Sequence, residues 1–158
     1  MDQPVIWSAS AAHIEGNIWR ITVSAEIESG YHIYDCDDYP YGATATEITV
    51  SGEGISIAGD VQVVSEVVKE YDDVLELSIG TISGTAVFTQ DIELAVEKTD
   101  VDVNIYWMAC TEDTCTPPSE VTLTVPVGGG AGSAGMIIGG IIAVAVAVLG
   151  FILMRRRK

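Results

Sequence analysis

Positive charge is what this chain has least of. Ahead of its last four residues only Arg20, Lys69 and Lys98 are basic, against 23 acidic residues that all precede Met136. The sequence before the tail therefore carries a net charge of about −20. Such a surface repels nucleic acid and anionic lipid headgroups. It suits solubility, high salt or a basic partner, and it does not choose among them.

Other absences narrow the field further. No stretch before residue 128 keeps a helical period for long, so a helical domain is excluded. There is no Ser-His-Asp order, no phosphate-binding loop, no pair of catalytic carboxylates and no internal repeat. Met1-Asp2-Gln3-Pro4 has neither a basic start nor an apolar core, so no signal peptide is visible. Cys36, His32 and His13 lack the paired spacing of a metal site. Asp35, Asp37 and Asp38 lack the spacing of a calcium loop and read as a solvated acidic turn. No cofactor and no metal are expected.

One long uncharged run is present. Met136 to Met154 contains 19 residues without a charge and is followed by Arg155, Arg156, Arg157 and Lys158. As a helix it would span roughly 28 Å, close to the hydrocarbon thickness of a bilayer. The basic cluster stays on the cytoplasmic side, which places the preceding residues outside. A domain held there needs a route across, so a leader is expected to have been removed. The same tail, with its glycines, also resembles C-terminal sorting signals of the GlyGly type, which a membrane protease cleaves. The organisation read from the sequence is a domain over 1–127, a flexible Gly-rich linker over 128–135, a transmembrane helix over 136–154 and a basic cytoplasmic end over 155–158.

The domain itself alternates with period two. Trp19, Ile21, Val23, Ala25 and Ile27 point one way while Arg20, Thr22, Ser24, Glu26 and Glu28 point the other. Leu75, Leu77 and Ile79 repeat the pattern, as do Val103, Ile105 and Trp107, and Val121, Leu123 and Val125. Further strands are expected at 4–8, 31–35, 44–50, 61–68 and 85–96, separated by turn signals such as Glu15-Gly16-Asn17 and Ser83-Gly84. Eight or nine short strands at this spacing predict an all-β, immunoglobulin-like β-sandwich, with a closed barrel as the lesser option. Trp7, Trp19 and Trp107 fit its core or half-buried strand positions. Tyr31 and Tyr34 have opposite parity, so one of them meets solvent or a neighbouring loop.

The chemistry, if there is any, lies in Trp107-Met108-Ala109-Cys110-Thr111-Glu112-Asp113-Thr114-Cys115-Thr116-Pro117-Pro118. Residues flanking a hairpin turn have Cα atoms roughly 4.5–5.5 Å apart, within reach of a disulfide. Closing so short a loop removes only about 2 kcal/mol of unfolded-state entropy, and a domain of this size buries an adequate core unaided. A structural staple, a redox-active pair and a metal site all remain open at this point. Glu112 and Asp113 lie inside the loop and disfavour a thiolate. The pair therefore fits a disulfide attacked by a partner's activated thiolate, a carrier rather than a self-starting catalyst. Cys36, the third cysteine, reads as a buried free thiol, with an intermolecular bridge or a second redox partner as the alternatives.

The stretch Tyr106 to Pro118 resembles the active-site loop of the N-terminal domain of DsbD-type thiol:disulfide interchange proteins. Pro4-Val5-Ile6-Trp7-Ser8, Gly30-Tyr31-His32-Ile33-Tyr34 and Glu70-Tyr71-Asp72 agree with that family's other segments, so the likeness covers roughly residues 4–126. The resemblance implies an immunoglobulin-like domain in the periplasm that takes electrons from a thioredoxin-like donor. It then reduces disulfide-bearing acceptors such as isomerases or cytochrome c maturation proteins. It implies that Cys115 forms the mixed disulfide, Cys110 resolves it, and Tyr31 and Tyr34 line the site beside Glu112 and Asp113. Three features depart from the family pattern. One apolar run stands where the family has a multi-helix membrane domain. No aromatic residue occurs in Asp60 to Lys69, where the family carries a cap over its cysteines, and Cys36 is extra. The competing reading is a non-redox interaction domain of the same fold with a structural bridge.

Overall fold

The computed structural model describes residues 3–39, 44–129 and 137–138, and all of its regular structure is β. Twelve strands follow one another. They are β1 (Val5–Glu15), β2 (Ile18–Ile27), β3 (His32–Tyr34), β4 (Glu47–Ser51), β5 (Ile55–Val63), β6 (Val68–Asp72), β7 (Leu77–Ile82), β8 (Thr85–Leu94), β9 (Lys98–Trp107), β10 (Ala109–Cys110), β11 (Ser119–Gly128) and β12 (Ile137–Ile138). They form a five-stranded sheet in the order β12-β1-β2-β8-β5, a four-stranded sheet β10-β3-β7-β6 and a three-stranded sheet β11-β9-β4. All pairings are antiparallel. This is the all-β arrangement expected of an immunoglobulin-like sandwich.

The long strands form where alternation is cleanest. In β2 and β8 every second side chain is buried, and Ile21, Ala25, Ala86, Phe88 and Ile92 have no measurable exposure. Opposite them β9 and β11 contribute Val101, Val103, Ile105, Leu123 and Val125. Trp7 joins the layers, with its ring centroid 5.4 Å from that of Trp107 and 6.1 Å from that of Phe88. Burying each large apolar side chain contributes about 2 kcal/mol. The three tryptophans are all buried.

Two expected strands fall elsewhere. The segment expected at 61–68 is the end of β5, which starts at Ile55, and a new strand begins at Val68. β5 is an edge strand, half-exposed on both faces, and its register with β8 shifts between Ala58 and Gln62. Gly59 sits in that bulge with φ +87°, and its carbonyl accepts a hydrogen bond from the buried Gln90 amide at 2.9 Å. A bulged edge has no solvated face to set against a buried one, so its period is weak. Leu75 likewise precedes β7 rather than starting it. The Asp72 carboxylate accepts the Val74 and Leu75 amides at 2.8 and 2.9 Å, making a turn between β6 and β7.

Of the expected transmembrane helix 136–154, only Ile137 and Ile138 are described. They are extended, as β12 beside Ser8 and Ala9, where the sequence reading has helix. The rest of that span, most of the linker 128–135 and the basic end 155–158 lie outside the described residues. Among the described residues no helix is long and apolar enough to cross a membrane.

Candidate functional site

Cys110 reaches its place because one stretch of chain serves two sheets. β9 runs through the three-stranded sheet to Trp107, passes Met108, and continues as β10 in the four-stranded sheet. There Ala109 lies opposite Ile33 and Cys110 opposite His32. Ala109, Ile33 and Ile82 are buried toward the core, so by alternation Cys110, His32 and Tyr34 share the outward face.

Cys110 and Cys115 form a disulfide with Cα atoms 3.9 Å apart, closer than the hairpin expectation, as an isolated antiparallel bridge at the neck of a tight loop. The loop is closed independently of sulfur. The Thr116 amide donates to the Ala109 carbonyl at 2.8 Å, and the Thr111 amide donates to the Thr114 carbonyl at 2.7 Å. Inside the loop the Thr111 hydroxyl accepts the Asp113 and Thr114 amides at 3.2 and 3.1 Å.

The two sulfurs are unlike. Cys110 is 1% exposed, whereas Cys115 lies in the exposed part of the loop. The Tyr34 hydroxyl donates to Cys110 Sγ at 3.5 Å. Partial burial, and then the charge of Asp72, raise the Tyr34 phenol above its ordinary range, so it stays a donor. The His32 ring stands edge-on to Tyr34 at 5.6 Å. Burial lowers its pKa, with Glu70 pulling weakly the other way.

The remaining sequence candidates divide. Tyr31 and Glu112 line an open hollow of about 470 Å³ with Glu28, His32 and Ser83. Tyr31 also packs against the core. Asp113 is at the exposed loop tip, apart from that hollow. Among the described residues no group of three or more His, Cys, Asp or Glu side chains could hold a metal ion.

Beneath the same sheet lies a cluster that the sequence reading took for a solvated turn. Asp35 is 4% exposed. Its carboxylate accepts from the Tyr39 hydroxyl and the Asp37 amide and pairs with Lys69 Nζ at 3.2 Å, while Lys69 also pairs with Asp37. The Tyr39 hydroxyl in turn accepts the Gly80 amide at 2.8 Å. A Cβ at Gly80 would lie 2.1 Å from Asp35 Oδ2, so only glycine fits. Thr46 finishes the clamp: its hydroxyl donates to the Tyr34 carbonyl at 2.6 Å and its amide to the Asp35 carbonyl at 3.0 Å. The backbone that carries Tyr34 to Cys110 is thus fixed from below. Cys36 is free and packs against the core, and burial together with Asp35 and Asp37 pushes its thiol up to about 12. Neither the burial of Asp35 nor the pairing of His32 with Cys110 has a local sequence signal, since both depend on strand register.

No protein-family model matches the sequence, and no curated protein matches it either. Solved structures do. The reduced N-terminal domain of DsbD from Neisseria meningitidis superposes with a TM-score of 0.56 at 14% identity, over 87% of this chain and 91% of that one. The N-terminal periplasmic domain of ScsB from Proteus mirabilis gives 0.56 at 13% identity, over 78% of this chain and 46% of that one. A complex between the DsbD and PilB N-terminal domains of Neisseria meningitidis gives 0.53 at 14% identity, over 80% of this chain and 85% of that one. The chain has the fold of the DsbD-type N-terminal domain.

Proposed function

We propose that this DsbD-like fold works as a thiol–disulfide exchange carrier, passing electrons from a thioredoxin-like donor to disulfide-bearing protein acceptors through Cys110 and Cys115. One observation carries the reading: the disulfide is asymmetric, joining Cys115, an exposed residue, to the buried Cys110, whose sulfur accepts from a tyrosine hydroxyl. A donor thiolate attacks Cys115 Sγ, the new S–S bond forms there, and the electron pair of the broken bond goes to Cys110. Tyr34 donates to the sulfur that receives that charge. Attack at Cys110 is blocked by burial. Glu112 keeps the loop negative, so the disulfide waits for a partner's thiolate rather than generating its own.

That a DsbD N-terminal domain of this fold forms a complex with a PilB domain supports a protein partner rather than a small molecule. From the sequence resemblance alone, we propose acceptors such as isomerases or cytochrome c maturation proteins. The sequence alone supports tethering through 136–154 on the periplasmic or extracellular side, with 128–135 as linker. A chain that sediments with membranes, and is released when 136–158 is deleted, meets that part of the reading.

The redox reading is tested by the reduction potential of the full chain, equilibrated against glutathione and thioredoxin buffers. A value between about −270 and −180 mV, with the fold intact in both states, fits a carrier. A value below about −300 mV, or unfolding on reduction, leaves the non-redox interaction domain with a structural bridge.

A further inference from the structure

We propose that His32 is the acid–base group for Cys110: its imidazole takes the proton from the Cys110 thiol when that sulfur resolves a mixed disulfide formed at Cys115. The inference rests on the exchange reading and deepens it.

His32 and Cys110 are directly opposite across β3 and β10, on the outward face. Side chains so paired have Cβ atoms about 4.5–5.5 Å apart, which places the imidazole beside the residue that carries the thiol. Cys110 is 1% exposed in the disulfide, a setting that gives bulk water little access to a thiol formed there.

Of the groups named here, His32 is the neutral base paired directly with Cys110. Tyr34 donates to Cys110 Sγ and burial keeps its phenol protonated, so it steadies negative charge on the sulfur but does not remove a proton. Lys69 is committed to Asp35 and Asp37. The groups facing His32 are Glu70 from β6, Glu112 from the cysteine loop, Glu28 ahead of β3, and Tyr31 and Tyr34 beside it. The carboxylates disfavour a Cys110 thiolate, so a neighbouring base is needed rather than a lowered thiol pKa. His32 is half-buried, which holds it below its ordinary range and leaves it unprotonated near neutral pH.

The electrons balance over two steps. In capture, the Cys115 thiolate attacks the acceptor disulfide, one acceptor sulfur bonds to Cys115, and the other leaves with the electron pair and takes a solvent proton. In resolution, the Cys110 proton passes to His32 and Cys110 Sγ attacks Cys115 Sγ. The intramolecular bond re-forms, and the second acceptor sulfur leaves with its pair and is protonated by His32. The carrier is oxidised by two electrons and the acceptor is reduced to a dithiol.

The test uses the reduced full chain with oxidised glutathione, quenched in acid and followed by mass. Capture forms glutathione-bound Cys115, and resolution removes it. In His32→Gln and in His32→Tyr, resolution at pH 7 is expected to slow about tenfold or more, so the mixed disulfide accumulates while capture keeps its rate. The pH limb of resolution should also move up toward the ordinary thiol range near about 8.5. Resolution with unchanged rate and pH dependence in both variants overturns the proposal, as does failure of the wild-type pair to react at all. A pair that responds to His32 as expected but refuses a thioredoxin-like donor keeps this inference and removes the carrier reading instead.

Discussion

Cys36 and Cys115 are both sulfurs at the edge of the same sheet region, and their surroundings give them opposite characters. Cys36 lies two residues past β3 and packs against the core, and burial with the flanking Asp35 and Asp37 pushes its thiol up to about 12. Cys115 is exposed in a loop held open to solvent and bonded to a sulfur that already has a hydrogen-bond donor. What separates the two here is the placement of charge and burial, not the residue type.

The largest expected effect is the contrast itself. In the folded, oxidised chain, Cys36 should react with iodoacetamide at pH 8 on the order of 10³-fold more slowly than in urea, because its thiolate fraction falls with the raised pKa. Fast alkylation of the native chain would erase the distinction. Replacing Cys36 with Ala should leave the potential of the Cys110–Cys115 pair unchanged.

Asp35→Ala should blur the comparison from the other side. It removes the acceptor for Tyr39 and Lys69 under the sheet, and a loss of about 3 kcal/mol is expected by denaturant unfolding. Losing that anion should also make Cys36 more reactive in the fraction that stays folded. Gly80→Ala should cost a similar amount, about 3 kcal/mol, because its methyl group would collide with the Asp35 carboxylate.

A smaller effect is expected at the sheltered sulfur of the disulfide. Tyr34→Phe deletes the hydroxyl on Cys110 Sγ. The reduced state, which gains most from a donor, should lose about 1 kcal/mol, so the potential should fall by about 20 mV. A rise would mean that the hydroxyl favours the disulfide.

The smallest is a pH effect. His32 has a lowered pKa in the fold, so the unfolded chain binds its proton more readily as pH falls below about 6.5. Stability is thus complete above that pH and declines as pH falls toward the lowered folded value. In His32→Gln this part of the decline in melting temperature between pH 7 and pH 5 should disappear.

The sequence declared some of this and withheld the rest for physical reasons. β2, β9 and β11 were readable because each has one buried and one solvated face. β5 and β6 were not, since Ile57, Val68 and Tyr71 are exposed apolar residues that break the inside-outside code. The cysteine pair stood out through its spacing and its prolines. Asp35 was hidden because an acid in an acidic run looks solvated, and only a lysine 34 residues away and a glycine on another strand make its burial tolerable. His32 was hidden because its partner lies across a sheet.

The threonine bonds at the neck of the cysteine loop have a consequence for how the site works in time. Because the Thr116–Ala109 and Thr111–Thr114 contacts close the loop without help from sulfur, cutting the S–S bond leaves both thiols facing each other at a high effective molarity. Reorganisation between the two oxidation states is therefore expected to be small. On the exchange reading, the Cys110 thiol facing a mixed disulfide at Cys115 re-forms the ring and expels the partner's thiol, so the domain is expected not to remain cross-linked to whatever it touches.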